Sequence, residues 1–487
     1  MTTVSTGSTA LLSSTGLGSG LDVESIVKAT MAVERQPEDL ITAANTDLKS
    51  QLSTYGQLQS YISAFQDKAN ALTSVSLWSQ TVASSSDTSA ATVTTGTGAA
   101  AGKYSLEVQA LAASQTATST TFSSKDHSLG EGQLTIDLGS WTGDPSTFGL
   151  KTGSTSVTVD IGPGESSLAA IRDKINAAGA GVTATIINDS SGARLSIRST
   201  NSGEQNGFRI SATETSAGED GGPGLSALAY DPEGGTSGLT LNQSGSNAKA
   251  TLNGIEITSA SNTLSNVADG LTLNLLKKTT APVDVTVSQD TAGMSTAVNN
   301  FVTAYNGLAT FISSQTKYNA DSKVAGNLQG DRTVIGIQNQ MRAILRDTST
   351  ASSKFGRLSD IGIVAQKDGT LQVTTSKLND ALANPTELKK LFSSSDETTA
   401  SSSGIVYRFK RLADRVLGTD GPLTTRTAGM QTTMTRNSKR IDDMEVRLAA
   451  TEKRLRAQYE ALDANMSKLN GLSSYVTTQL AAIAKSS

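Results

Sequence analysis

The sequence predicts an α+β multidomain protein: a helical coiled-coil or bundle leg built from both chain ends, with two antiparallel β-rich head domains inserted between them. Three observations predict it. From Ile41 the apolar or small positions run Ile41, Ala44, Leu48, Tyr55, Leu58, Ile62, Phe65, Ala69 and Leu72, in steps of three and four spoiled once at Gln51. Near the C-terminus a second run passes Ile441, Met444, Leu448, Leu455, Tyr459, Leu462, Met466 and Leu469. Seams of this period fit a partner helix. Between them lies a long Gly/Ser/Thr-rich stretch in which apolar residues alternate at period two.

Asp22 is placed to cap a short amphipathic helix with Val23, Ile26, Val27 and Met31 on its apolar side. Pro37 predicts a break, after which a second helix runs to about Leu72. Strands are expected at Ala91 to Thr95 and at Tyr104, Leu106 and Val108, then a Ser/Thr-rich linker from Ala113 to Ser124. Alternation returns at Leu134, Ile136, Leu138 and at Val157, Val159, Ile161. Ser166 or Ser167 caps a short helix carrying Leu168, Ile171 and Ile175, and Gly179 stops it. Val182 to Ile186, Leu195 and Ile197, and Phe208 and Ile210 each show one apolar face, as antiparallel sheet covered on one side does. Gly218 to Gly235 reads as a loop rich in glycine and acid.

Asn253-Gly254 between two alternating runs is a two-residue hairpin signal. Strands at Leu271 to Leu275 and Val283 to Val287 follow. After Asp290 helices return, one with Val298, Phe301, Tyr305, Leu308 and Ile312, another with Val334, Ile337, Met341, Ile344 and Leu345. A hairpin turns at Asp368-Gly369, and further helices start at Ile405 and about Thr425. In the last helix Asp443 with Arg447 and Glu452 with Arg456 are acid-before-base pairs, each worth about 0.3–0.5 kcal/mol. Two successive steps of four around Leu455 and Tyr459, counting Thr451, form a stutter that unwinds a left-handed coil locally. The seam from Ile41 to Leu72 reads as bundle core packed on the helices after Asp290. The seam from Ile441 onward reads as a surface for a partner.

The 487 residues allow about three or four domains. Much of the apolar share is alanine, which buries little area, so small separate cores are expected. The 40 basic residues nearly balance 44 acidic ones, and nothing in that balance points to nucleic acid or an acidic membrane. The absence of cysteine excludes disulfides, thiolate metal sites and cysteine nucleophiles. Met1 to Ser14 has neither a basic nor an apolar region of a cleaved signal, and no run approaches the roughly 18 apolar residues of a membrane span. Cytoplasmic residence and export without a cleaved signal both remain open.

No constellation for chemistry emerges. The single histidine, His127 beside Asp126, reads as a solvated loop residue. Gly98 to Lys103 has the wrong spacing for a phosphate loop, and Tyr104 cannot replace its magnesium-holding hydroxyl. Gly16, Gly18 and Gly20 are too close together for a dinucleotide fingerprint. Glu219, Asp220, Asp231 and Glu233 match no calcium-loop spacing. The chain reads as a non-enzyme, with no catalytic, cofactor-binding or metal residues assigned.

The opening Thr15-Gly16-Leu17-Gly18-Ser19-Gly20-Leu21-Asp22-Val23-Glu24-Ser25-Ile26-Val27, with Met31, Glu34 and Pro37, resembles the start of the flagellar filament cap proteins, hook-associated protein 2. Leu358 to Ile363 with Asp368 to Leu371, Val182 to Thr200, and the ending Leu472 to Val476 with Gln479-Leu480 are similar to the same family. The resemblance implies a secreted protein at the distal tip of the bacterial flagellum, exported unfolded by the flagellar type III route. It implies a ring-like homo-oligomer that retains flagellin and promotes its insertion, contacts with flagellin and hook-associated proteins, and an export chaperone on the C-terminal helix. The expected organisation is a flexible segment with a short helix at 1–40 and a leg helix at 41–77 pairing with a helical domain at 291–430. An inner head spans 78–120 plus 247–290, an outer head 121–246, and a C-terminal coiled-coil helix 431–487. The alternatives are a type III-exported needle-tip-like protein, or an adhesin whose heads bind host or surface glycans.

Overall fold

Apolar residues recurring every three or four positions make helices of both chain ends, and period-two alternation makes sheet of the middle. The computed structural model describes residues 22–144, 146–320 and 323–485. It divides into two units, one from the chain up to Trp78 together with Thr291 onward, the other from Ser79–Asp290. The helices are α1 (Val23–Thr73), α2 (Val75–Ser79), α3 (Leu168–Ala177), α4 (Thr291–Thr316), α5 (Arg332–Arg346), α6 (Thr375–Leu382), α7 (Pro385–Ser393), α8 (Ile405–Leu417) and α9 (Pro422–Lys485).

In the helical unit α1 turns Tyr55, Leu58, Ile62, Phe65 and Leu72 into one core with Val298, Phe301 and Tyr305 of α4 and Phe409 and Leu412 of α8. The Phe65 ring lies 5.2 Å from Phe301, 5.5 Å from Phe409 and 6.0 Å from Tyr305, the last two edge-on, as aromatic quadrupoles prefer. Asp331 caps α5 by accepting from the amides of Thr333 and Val334. Trp78 closes the core end, donating its indole N–H to the Leu72 carbonyl at 2.8 Å.

The strand unit holds β1 (Thr81–Ser85), β2 (Ala91–Thr95), β3 (Gly102–Ala110), β4 (Thr116–Ser119), β5 (Gly132–Thr142), β6 (Thr147–Leu150), β7 (Val157–Ile161), β8 (Val182–Asp189) and β9 (Gly192–Ser199). It continues with β10 (Gly207–Glu214), β11 (Tyr230–Asp231), β12 (Thr236–Ser237), β13 (Leu239–Gln243), β14 (Ala248–Leu252), β15 (Ile255–Ser259), β16 (Thr263–Ala268), β17 (Leu271–Leu275) and β18 (Val283–Gln289). Sheets ordered β1-β18-β3-β14-β15 and β16-β17-β2 share a core around Leu106, Leu273 and Val285. Sheets β12-β11-β10-β5-β6, with β7 on β5, and β13-β4-β9-β8 share another with α3, around Ile136, Ile171, Leu195 and Phe208. Asn253 and Gly254 take φ of 52° and 80°, the left-handed pair that the β14–β15 turn needs. Ser167 caps α3, and Gly179 with φ 64° follows its end.

Amide side chains pin backbone where a strand neighbour is missing. Asn176 both donates to and accepts from Ala184, at 2.9 and 2.7 Å, on the outer edge of β8. Asn262 does the same to Ala112, Gln115 to Phe208, and Asn306 to Leu371. Each pair satisfies two groups that would otherwise want a strand or water.

Four expectations are corrected. Pro37 does not break α1, which is continuous from Val23. The carbonyl it frees belongs to exposed Val33, where water can reach it, and contacts with α9 lie on both sides of the proline. The stretch Ala113 to Ser124 is not a linker. It contains β4, whose Ala117 is buried between β9 and β13. Small and β-branched residues gave no apolar signal there, although threonine suits a strand. Gly218 to Gly235 is more than loop, since Leu225, Leu228 and Tyr230 enter the core. Finally, α1 packs along α9 beyond residue 430, through Asn437 and Leu448, as well as on α4 and α8.

Glu387 ties a loop to α7. One oxygen accepts from Ser352 Oγ (2.8 Å), Ser353 N (2.8 Å) and Ser353 Oγ (3.1 Å), the other from Lys390 Nζ (2.8 Å). Lys390 above all, then the two serines, hold its carboxyl down at about 2. A depressed carboxyl contributes fully above its ordinary value near 4.5 and loses that contribution as pH falls through about 2. Melting curves of Glu387→Gln should therefore fall less steeply than wild type across that window and start lower at pH 7. Leu58→Ala should cost about 2–5 kcal/mol in urea denaturation, since Leu58 is fully buried at the junction of helices.

Candidate assembly interface

The seam begins at Asp22, whose carboxylate accepts the Ser25 amide at 3.0 Å and starts α1. Val23, Val27 and Met31 then pack on Leu448 of α9, with Leu455 and Tyr459 half-buried beside them. Farther along, Asn45 is buried and accepts from Asn437 Nδ2 at 3.1 Å. Thr54 accepts from Asn327 at 3.0 Å. Near the start of α9, Arg426 pairs with Asp331 at 3.2 Å. Burial and the Asp331 carboxylate push the neighbouring Tyr55 phenol well above its ordinary value, so it stays neutral. Contacts with Asn437 and Leu448 run in opposite order along the two helices, so the pair is antiparallel.

The sequence seam is therefore divided by the structure. Tyr55, Leu58, Ile62 and Phe65 belong to the main core, Leu48 packs against it, and Ile41 is half-buried. Ile441 and Met444 are half-buried and Leu448 is buried. Beyond Tyr459 the stripe is mostly exposed: Met466 is half-buried, while Leu462 and Leu469 are exposed, the latter 61 %. Leu472, Tyr475, Val476, Leu480 and Ile483 extend it, all exposed. Gly16, Leu17, Gly18, Ser19, Gly20 and Leu21 lie outside the described residues. Asn45 and Asn437 were missed in the sequence. The available signal was a polar residue four after Ile41 and three before Leu48.

The stray chemical candidates stay scattered. His127 is a correction: its side chain is mostly buried, stacked on Phe122 at 5.3 Å and bonded through Nδ1 to Ser123 Oγ at 3.2 Å. The loop folds back on the core through Phe122, which the local serine-rich composition did not disclose. Arg447 donates to the Asp443 backbone carbonyl rather than its carboxylate, whereas Glu452 and Arg456 pair at 3.1 Å. Glu219 serves the Ser128 amide, Asp231 the Gly234 amide and Glu233 the Phe148 amide. Among the described residues no cluster of three or more His, Asp or Glu could hold a metal, and no helix is long and apolar enough to cross a membrane.

A helical unit made from both chain ends, a strand unit inserted into it and an exposed apolar stripe on the last helix define a protein that works by assembling with others. Residues 19–115 match the family described as flagellar hook-associated protein 2 N-terminus, and residues 245–471 its C-terminus. Residues 147–201 match the flagellin hook IN motif. Flagellar hook-associated protein 2 of Escherichia coli K12 is 34 % identical over 96 % of this chain and 98 % of its own length. That of Salmonella typhimurium LT2 is 32 % identical over 98 % and 100 %. The crystal structure of the Escherichia coli flagellar cap protein FliD, domains D1-D2-D3, superposes with a TM-score of 0.59 at 34 % identity, covering 78 % of this chain and 99 % of that one. The chain belongs to the flagellar hook-associated protein 2 family.

The asparagine pair gives a sharp test. Asn45→Leu alone should lower stability by about 1–3 kcal/mol, because it strands the Asn437 amide. Adding Asn437→Leu should recover most of that loss in urea denaturation.

Proposed function

We propose that this chain is the structural cap at the distal tip of the bacterial flagellar filament, secreted there to retain exported flagellin and promote its folding and insertion. The single observation that carries the mechanism is the exposed apolar stripe of α9 at Leu462, Leu469, Leu472, Tyr475, Val476 and Leu480. Burying it needs another helix, and the filament end, an export chaperone before assembly, and further copies of the chain are the partners that this reading supplies. Ile41 to Phe65 and Ile441 to Leu469 act as the assembly seam, and Gly16 to Asp22 as the family's opening motif. Residues 78–120 with 247–290 form an inner head and 121–246 an outer one; the two separate strand-unit cores support two heads but put Thr116–Ser119, paired with β9 and β13, with the outer one. The copies form a ring, and flagellin enters beneath it. The needle-tip and adhesin alternatives are not favoured, since the hook-associated protein 2 relatives match nearly end to end.

A cut after Asp420 would remove Leu423 and Met430 from the main core, so it would test folding as well as capping. A chain ending at Glu460 keeps Leu448, Leu455 and Tyr459 and removes the exposed apolar stripe beyond them. In a strain lacking the gene, the full chain should restore filaments and stop monomeric flagellin from leaking into the medium. The chain ending at Glu460 should melt like wild type yet leave stunted filaments and leaked flagellin. Normal filaments in the deletion strain would reject the cap, and full rescue by the shortened chain would reject the stripe's role.

A further inference from the structure

The sequence holds four Asn-Gly pairs: Asn206-Gly207, Asn253-Gly254, Asn306-Gly307 and Asn470-Gly471. An asparagine followed by glycine is open to attack on its own side chain, because glycine crowds its nitrogen least and lets the backbone bend. The fold decides which of the four can react. Asn206 is buried, accepts from Lys151 Nζ at 2.7 Å and donates to the Ser202 carbonyl, and the Gly207 N–H is already given to the Glu204 carbonyl. Asn306, inside α4, is clamped to the Leu371 backbone by two hydrogen bonds at 2.8 and 2.6 Å. Asn253 is exposed, but its backbone N–H and its side-chain oxygen both bond the Ser105 backbone at 2.8 Å, which pins it in the β14–β15 turn.

No such tie holds the Asn470 side chain among the described residues. It lies on α9, where residues 467 to 480 are all exposed. A closed helix protects the pair, because the glycine N–H is bonded one turn back and held away from the side-chain carbon. Gly471 weakens the helix that contains it. Turns that bury few apolar side chains also open most readily. Asn470 therefore has the least protected position of the four, and it sits between Leu469 and Leu472 of the exposed stripe.

We propose that Asn470-Gly471 is a site of spontaneous deamidation that disarms chains left unassembled. When the turn opens, the Gly471 nitrogen attacks the Asn470 side-chain carbon. A nitrogen–carbon bond forms, the bond from that carbon to Nδ2 breaks, and the displaced proton leaves with Nδ2 as ammonia. Water then opens the cyclic imide at either carbonyl and gives aspartate or isoaspartate. Either product sets a new carboxylate beside Leu469 and Leu472, which opposes burial of the stripe. Isoaspartate also routes the main chain through the side chain and interrupts the helix ladder. A partner that covers the stripe holds the turn closed, so assembled chains are spared. The protection and the disarming rest on the role of the stripe proposed above, whereas the reaction itself does not.

Peptide mapping by mass spectrometry of the full chain, aged warm at mildly alkaline pH, tests it. Asn470 should convert at least several-fold faster than Asn206, Asn253 and Asn306. In denaturing urea the four should converge, which would make the fold the cause of the ranking. G471A should block the reaction in both conditions, since the added methyl crowds the nitrogen, favours helix and meets nothing within 4 Å. Chains on capped filaments should convert at Asn470 several-fold more slowly than free chains. Aged free wild type should lose capping relative to fresh protein, and aged G471A should not. A native chain that converts at Asn470 only in urea, or that converts at Asn253 as fast, would overturn the site and leave the cap reading standing. Equal conversion of free chains and capped filaments would leave the site standing and reject the covered stripe. Fully converted chain that caps like fresh protein would overturn the disarming.

Discussion

The apolar stripe of α1 from Tyr55 to Leu72 is the contact on which the helical unit depends. Its partners, Phe301 and Tyr305 on α4 and Phe409 on α8, lie far along the chain, beyond the whole of Ser79–Asp290. Closing so long a loop costs entropy that grows only slowly with length, so the insertion is tolerable if it folds by itself. The strand unit meets that condition. Its sheets pair internally, and its cores draw only on its own residues. Phe65, central to the aromatic cluster, is therefore the residue whose burial holds the distant segments together.

The same stripe changes character along the helices. From Tyr55 onward it is thick with aromatics and fully buried, while toward the start of α1 it thins to Val23, Val27 and Met31 against a single neighbour helix. The Asn45–Asn437 bond sits between these regions. A buried asparagine bonded to a half-buried one adds little net stability but penalises any sliding that would separate the pair, and so favours one register. Past Tyr459 the leucines of α9, Leu462, Leu469, Leu472 and Leu480, are exposed. At about 25 cal/mol per Å² of apolar surface, that stripe is an unspent source of association energy.

Most of the architecture was legible because period is a strong signal. The Tyr55 to Leu72 core residues, the Asn253-Gly254 turn and the Ser167 cap fall where spacing and turn chemistry put them. What was illegible has specific causes. β4 is built from threonine, alanine and serine, and its burial depends on β9 and β13, far away in sequence. Leu225 and Leu228 lacked a period because they enter the core from short turns. Pro37 obeyed its local chemistry but was outweighed by packing on α9 to either side.

The perturbed titrations point the same way as the seam. Asp22, Asp87, Asp368 and Asp396 all have lowered carboxyl values, and in each case the largest causes are backbone amides or hydroxyls two or three residues on. Such shifts arise from helix caps and Asx turns, where a carboxylate replaces a missing backbone acceptor. Tyr230 and Tyr305 move the other way, and burial is the leading cause for both. Functional sites usually gather shifted groups of opposing tendency in one cleft. Here these four carboxylates lie at separate turns or a helix start and these two phenols inside cores, so these ionisations serve to start a helix and close loops. The surface left exposed is instead the apolar stripe of α9, whose burial requires a partner.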